Sequence, residues 1–89
     1  MKIRWTARAA DDLEYIVNYI RKDNPAAALR MARTIYRGIA GLRDFPRSGR
    51  TGLAEDTREL VFSPYIVVYE ILNDQVRVLR IRHAAQDWP

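Results

Sequence analysis

A single Asn-Pro pair, Asn24-Pro25, divides the first half of this chain, and it constrains the fold more than any other local feature. On either side of it apolar residues recur at helical spacing. Ala9, Leu13, Ile16 and Ile20 precede it, with Ala10 and Val17 beside them; Ala28, Ala32, Ile35, Ile39 and Leu42 follow, extended by Phe45. Asn is a good helix N-cap and Pro suits the first helical position, so the pair ends one helix and starts the next. Thr6 can cap the first helix. Asp11, Asp12 and Glu14 near its start and Arg21 and Lys22 at its end suit the helix dipole. The second helix is expected to run to about residue 43. Gly38 and Gly41 inside it are poor helix formers, and permit either a close approach to a neighbour or a break.

The periodicity then changes. Phe45-Pro46-Arg47-Ser48-Gly49-Arg50-Thr51-Gly52 reads as a loop carrying two arginines. Three β-favouring runs follow: Thr57–Phe62, Tyr65–Leu72 and Val76–Arg82. Ser63-Pro64 connects the first two, and Asn73-Asp74-Gln75 forms a three-residue hairpin loop between the last two. Lys2–Trp5 is a further short strand. The order is β-α-α-β-β-β. The implied class is α+β, with a two-helix hairpin packed on one face of a small antiparallel sheet in a single domain spanning residues 1–89.

Register in the last hairpin decides what the other sheet face carries. The three-residue loop sets Leu72 opposite Val76, Glu70 opposite Val78, Val68 opposite Arg80 and Ile66 opposite Arg82. Leu79 and Ile81 then join Val67, Tyr69 and Ile71 against the helices, while Arg80 and Arg82 join Glu70 on the open face. With Arg58 and the loop residues Arg47 and Arg50 they would make a basic surface for phosphates or an acidic partner segment. The plain alternative is a solvated face of little energetic consequence.

Of the fifteen Lys and Arg residues, thirteen are Arg, and the net charge is +4. Arginine suits forked contacts to phosphate or carboxylate, although a GC-rich genome would give the same bias. There is no cysteine, which excludes disulfides and cysteine-ligated metal. His83 is the sole histidine, too few for a metal site. It can act as a general base, or it can simply hydrogen-bond Asp87 four residues on. No metal or cofactor is expected. No signal peptide or membrane span is legible, so a cytoplasmic protein without a membrane partner is expected.

The residues Trp5-Thr6-x-x-Ala9-x-x-Asp12-Leu13-x-x-Ile16-x-x-Tyr19-Ile20 resemble the opening of RelE/ParE family toxins. So do Asp23-Asn24-Pro25, Phe45-Pro46-x-x-Gly49-Arg50, Thr57–Val61, Pro64–Tyr69 and Arg82-His83-Ala84-Ala85. The resemblance covers nearly the whole chain and implies the β-α-α-β-β-β fold already read. It also implies a type II toxin neutralised by a cognate antitoxin with an acidic amphipathic segment, in a toxin–antitoxin hetero-oligomer. The family has RelE-like ribosome-dependent mRNA endonucleases and ParE-like members that act on DNA gyrase. RelE-like members carry an arginine where Ile66 stands and a Tyr or His where Ala84 and Ala85 stand. Arg58, Arg82 and His83 are the remaining catalytic candidates, and His83 alone cannot easily serve both ends of a turnover. The resemblance therefore leans toward a ParE-like, non-nuclease toxin, ahead of a RelE-like nuclease or a plain nucleic-acid-binding module.

Overall fold

The computed structural model describes residues 1–86. Strand β1 (Lys2–Trp5) leads into helix α1 (Ala7–Asp23), and helix α2 (Pro25–Ala40) returns along it. A 3₁₀ turn, Gly41–Arg43, follows. The strands β2 (Arg50–Thr51), β3 (Thr57–Phe62), β4 (Tyr65–Leu72) and β5 (Gln75–His83) complete the chain. The sheet order is β1-β5-β4-β3-β2. Its pairs are antiparallel except that β1 lies parallel to β5, which the return of the chain through the helical hairpin allows. The α+β arrangement holds, with one two-residue strand, β2, more than the sequence runs imply.

The caps are those expected. Thr6 Oγ1 accepts from the Ala9 amide at 3.1 Å, and Asn24 Oδ1 accepts from the Ala27 amide at 3.0 Å. These bonds satisfy helix N–H groups that have no partner within the helix. Helix α2 stops at Ala40, earlier than expected, and tightens into the 3₁₀ turn at Gly41. Gly38 is a close-approach glycine: a Cβ there would strike the ring of Phe62 on β3.

Ala9, Leu13 and Ile16 of α1 and Ile35 and Ile39 of α2 pack on Tyr65, Val67, Val78 and Ile81 of the sheet. Leu42, Tyr69 and Val76 form a second cluster beneath the 3₁₀ turn. Tyr69 also ties down the following loop, donating to the Pro46 carbonyl at 2.7 Å and accepting from the Gly49 amide at 2.9 Å.

The β4–β5 hairpin corrects the expected register. Its loop has two residues, Asn73 and Asp74, both at positive φ (52° and 59°), which Asn and Asp tolerate. Leu72 therefore pairs with Gln75, Ile71 with Val76 and Glu70 with Arg77. An irregularity between Val68 and Tyr69 on β4 lies opposite Leu79, which has no cross-strand partner, and shifts the register by one. Beyond it the expected pairs Val68 with Arg80 and Ile66 with Arg82 are restored. Val76 and Val78, rather than Leu79, accordingly join Ile81 in the core; Leu79 is half-buried at the bulge.

Candidate functional site

The face of the sheet away from the helices carries an acid–base cluster built by strand alternation. Glu59 pairs with Val68 and Arg82 with Ile66, so all four side chains project to that face. It is less open than expected: Ile66, Val68, Glu59 and Arg82 are all buried, at 5%, 1%, 3% and 5% exposure. Glu59 holds two arginines. Arg50, reaching in from β2, donates from Nε to Glu59 Oε1 at 3.0 Å and brings Nη2 to 2.9 Å of the same oxygen. Arg82 brings Nη2 to 3.4 Å of Oε2. Arg82 Nε is buried without a hydrogen-bond partner. Arg50 is largely exposed, so charge reaches solvent there and not at Arg82.

Arg80 does not join this face. Strand β5 runs past the end of β1, whose last partner is Val78, and Asp12 on α1 occupies the vacated edge. Asp12 accepts from Arg80 Nε at 2.8 Å, from Arg80 Nη2 at 3.2 Å and from the Ile81 amide at 2.9 Å. The hydrogen bonds to Asp12 hold the Arg80 guanidinium still more firmly protonated than usual. Glu70 is likewise occupied, by Arg77 at 3.4 Å.

Arg58 pairs with Tyr69 and so lies on the helix-side face, opposite to Arg82. Its Nη1 donates to the Gly49 carbonyl at 2.9 Å and the Arg47 carbonyl at 3.2 Å, bracing the loop from beneath. Arg47 and Arg58 line one recess with Thr51, Asp56 and Glu70. His83 stands at the end of β5, where its Nδ1 accepts from the Ala85 amide at 3.0 Å and its ring meets Tyr65 edge-on at 5.6 Å. The expected contact with Asp87 lies outside the described residues. His83 lines a groove with Asp12, Tyr15, Tyr19 and Tyr65. Burial, with Tyr19 nearby, raises the Tyr65 phenol above its ordinary value.

The structure thus brings together Arg50 and Arg82, and separately Arg47 and Arg58, but does not gather Arg58, Arg82 and His83 into one catalytic constellation. Of the two residues that organise these contacts, Glu59 was not expected at the site, and Asp12 was expected only to favour the helix dipole. Glu59 shares the alternation of Thr57 and Val61, which marks it as facing away from the helices, but nothing local marks it as buried. Among the described residues no group of three His, Cys, Asp or Glu side chains could hold a metal, and no helix is long and apolar enough to cross a membrane.

A two-helix hairpin on a mixed five-stranded sheet of this order defines the RelE/ParE-like fold. The chain superposes on a protein of the chromosomal ParDE toxin–antitoxin system of P. aeruginosa with a TM-score of 0.84 at 24% identity, over 93% of this chain and 95% of that one. It also resembles a chain of the E. coli RelBE toxin–antitoxin complex, with a TM-score of 0.65 at 15% identity over 96% and 98% of the two chains. In sequence it is 46% identical to Y4kP of Sinorhizobium fredii, designated a toxin, over 99% of this chain and 93% of that one. It is 36% identical to toxin RelE2 of Caulobacter vibrioides, over 96% and 97%. Residues 3–88 match the family described as the ParE toxin of the type II toxin–antitoxin system, parDE, and the chain belongs to that family.

Proposed function

We propose that this toxin acts without cleaving RNA, by engaging DNA gyrase, and that a cognate antitoxin holds it inactive until it is lost. One observation carries the reading: each residue that could serve phosphodiester cleavage is engaged elsewhere. Cleavage through a 2′-hydroxyl needs a base, an acid and a cationic stabiliser converging on one phosphate. Arg82 is buried against Glu59, Arg58 braces loop carbonyls on the opposite face, and His83 has one ring nitrogen committed to a backbone amide. The family's two structural neighbours named above come from toxin–antitoxin systems, which supports an antitoxin partner here.

The target face proposed is the loop-and-β2 side of the molecule. Arg47 and Arg50 are exposed there, with Arg58 below them and with Glu59, itself paired with Arg82, holding Arg50. An acidic antitoxin segment suits the same cations, so masking of this face is the proposed neutralising contact. The test is growth arrest on induction, followed at once by DNA integrity and by translation. Gyrase-linked DNA breaks with translation continuing are expected, together with inhibition of purified gyrase by purified toxin. Immediate translational arrest with mRNA cut on the ribosome would overturn the proposal and return His83 and Arg82 to catalysis. At the level of side chains, Arg50→Gln should weaken gyrase inhibition at least several-fold with the fold intact; full inhibition would remove Arg50 from the face.

A further inference from the structure

The excess positive charge of the chain does not lie where the sequence pattern suggested. Arg50, Arg77, Arg80 and Arg82 are all ion-paired, and Arg58 is satisfied by carbonyls. Apart from Arg47 in the loop and Arg8, Arg21 and Lys22 on α1, the remaining cations left without an ion pair among the described residues lie along α2 and just beyond its end. That helix contains Arg30, Arg33 and Arg37 and no acidic residue. At roughly 100° per residue the three arginines fall within an arc of about 60°, opposite the buried stripe of Ala28, Ile35 and Ile39. All three are exposed, and among the described residues none forms an ion pair or side-chain hydrogen bond. The tract continues past the C-terminal end of α2, where Arg43 lines a shallow recess with Lys2 and Arg4 of β1. These three side chains are likewise exposed and unpaired among the described residues, and Asp44, the acid next to Arg43, is paired with none of them.

We infer that this tract, Arg30, Arg33, Arg37, Arg43, Lys2 and Arg4, is a docking surface for the phosphate backbone of duplex nucleic acid. The composition of the face favours that occupant over an acidic polypeptide. A peptide partner draws most of its affinity from apolar anchors set in pockets. Within the arc spanned by the three arginines the one other residue is Ala26, with Thr34 and Ala40 at its margins; the exposed apolar side chains of Leu29 and Tyr36 lie on one flank, outside the span of the cations. A phosphate backbone needs no such anchors, because its binding is supplied by release of condensed counterions. Small side chains between the arginines let a backbone come close. The seven helical steps from Arg30 to Arg37 place the cations along about 10 Å of a rigid helix, so they can meet successive charges on one duplex. The surface is separate from the Arg47–Arg50 face and does not depend on the gyrase reading. A toxin holding duplex with one side would present the other to a protein already on that duplex.

The test is direct binding of the purified full-length toxin to a labelled 25-base-pair DNA duplex, with no gyrase present, across a sodium chloride series. Log affinity should fall against log salt with a slope of about −3 to −5, for three to six phosphates neutralised at about 0.9 each. The triple variant Arg30→Gln/Arg33→Gln/Arg37→Gln should keep its far-UV circular dichroism, because Gln is nearly as good a helix former as Arg. It should bind at least tenfold more weakly at low salt and lose about 3 units of slope. A control variant, Arg8→Gln/Arg21→Gln/Lys22→Gln, removes the same charge from α1 and should keep most of the affinity and slope. Equal binding of an RNA duplex would support the proposal, since backbone phosphate is the ligand. Equal loss in both triple variants would overturn it, reducing the effect to net charge. Absence of duplex binding by the wild type, or tight capture of an acidic peptide by the tract in its place, would overturn it as well.

Discussion

Glu59 and Arg82 show how a single buried carboxylate sets the character of a surface. Two charges taken out of water are costly, and their attraction offsets the cost only while both remain. Glu59→Leu strands the Arg82 guanidinium, whose Nε already lacks a partner, and should lower the unfolding free energy in urea by about 3–5 kcal/mol. Arg82→Leu should do similar harm by leaving Glu59 with Arg50 alone. The double variant should recover most of either loss, because an apolar pair fits beside Ile66 and Val68. Additive losses in the double variant would show that the two charges do not support each other. Tyr65 offers a pH-dependent counterpart. Burial raises its phenol above the ordinary 10.0, so the folded state holds the proton more tightly than the unfolded one. Its contribution is therefore complete below pH 10 and is lost as pH rises through the higher folded value. Urea midpoints should fall more steeply above pH 10 for the wild type than for Tyr65→Phe, and parallel curves would count against the assignment. Neither role was legible in sequence. Arg82 and Arg58 stood out by charge, but side-chain type does not reveal which face a residue takes or what already occupies it.

The elements were easier to read than their joints. Both helices, their Thr6 and Asn24 caps and the three main β-runs follow from periodicity and from local bonds between near neighbours in the chain. The hairpin was not so determined, since Asn73-Asp74-Gln75 suits a loop of two residues or three. The two-residue turn is selected by left-handed backbone at Asn73 and Asp74, and the bulge opposite Leu79 then compensates. Strand β2 was missed because two residues carry no periodicity, and it pairs only through Arg50 and Thr51. Gly38 left two readings open, and the ring of Phe62 decides for close approach. A consequence at this scale is measurable. Gly38→Ala removes a poor helix former, a gain of about 1 kcal/mol, but drives a methyl group into the ring, at a cost of about 1–3 kcal/mol. A net loss in urea denaturation is expected. In a Phe62→Leu background, where the obstruction is shortened, the same change should become neutral or stabilising. A loss of unchanged size there would place the strain in the helix rather than at the contact.

At the scale of the whole molecule, charge is sorted by side. The sheet arginines are largely neutralised within the fold, the loop-and-β2 edge exposes Arg47 and Arg50, and α2 carries three exposed arginines without an ion pair among the described residues. An acidic antitoxin segment that masks the first of these faces has a thermodynamic consequence independent of how the toxin acts. A chain of 89 residues buries a limited core, and this one commits part of its interior to Glu59 and Arg82. A partner that binds only the folded toxin stabilises it by mass action, by about 2.7 kcal/mol at a free concentration one hundred times the Kd. For a domain of this size each kcal/mol shifts Tm by roughly 4–8 °C. The toxin's Tm should therefore rise by about 10–20 °C when its cognate antitoxin is added to that level, and should keep rising with further antitoxin. Arg47→Gln/Arg50→Gln should lower the free toxin's Tm little but reduce the antitoxin-induced rise, whereas the α2 triple variant should retain it. If the α2 variant lost the rise and the Arg47/Arg50 variant kept it, the two faces would exchange roles: the antitoxin would bind α2, and the proposed neutralising contact at β2 would be wrong.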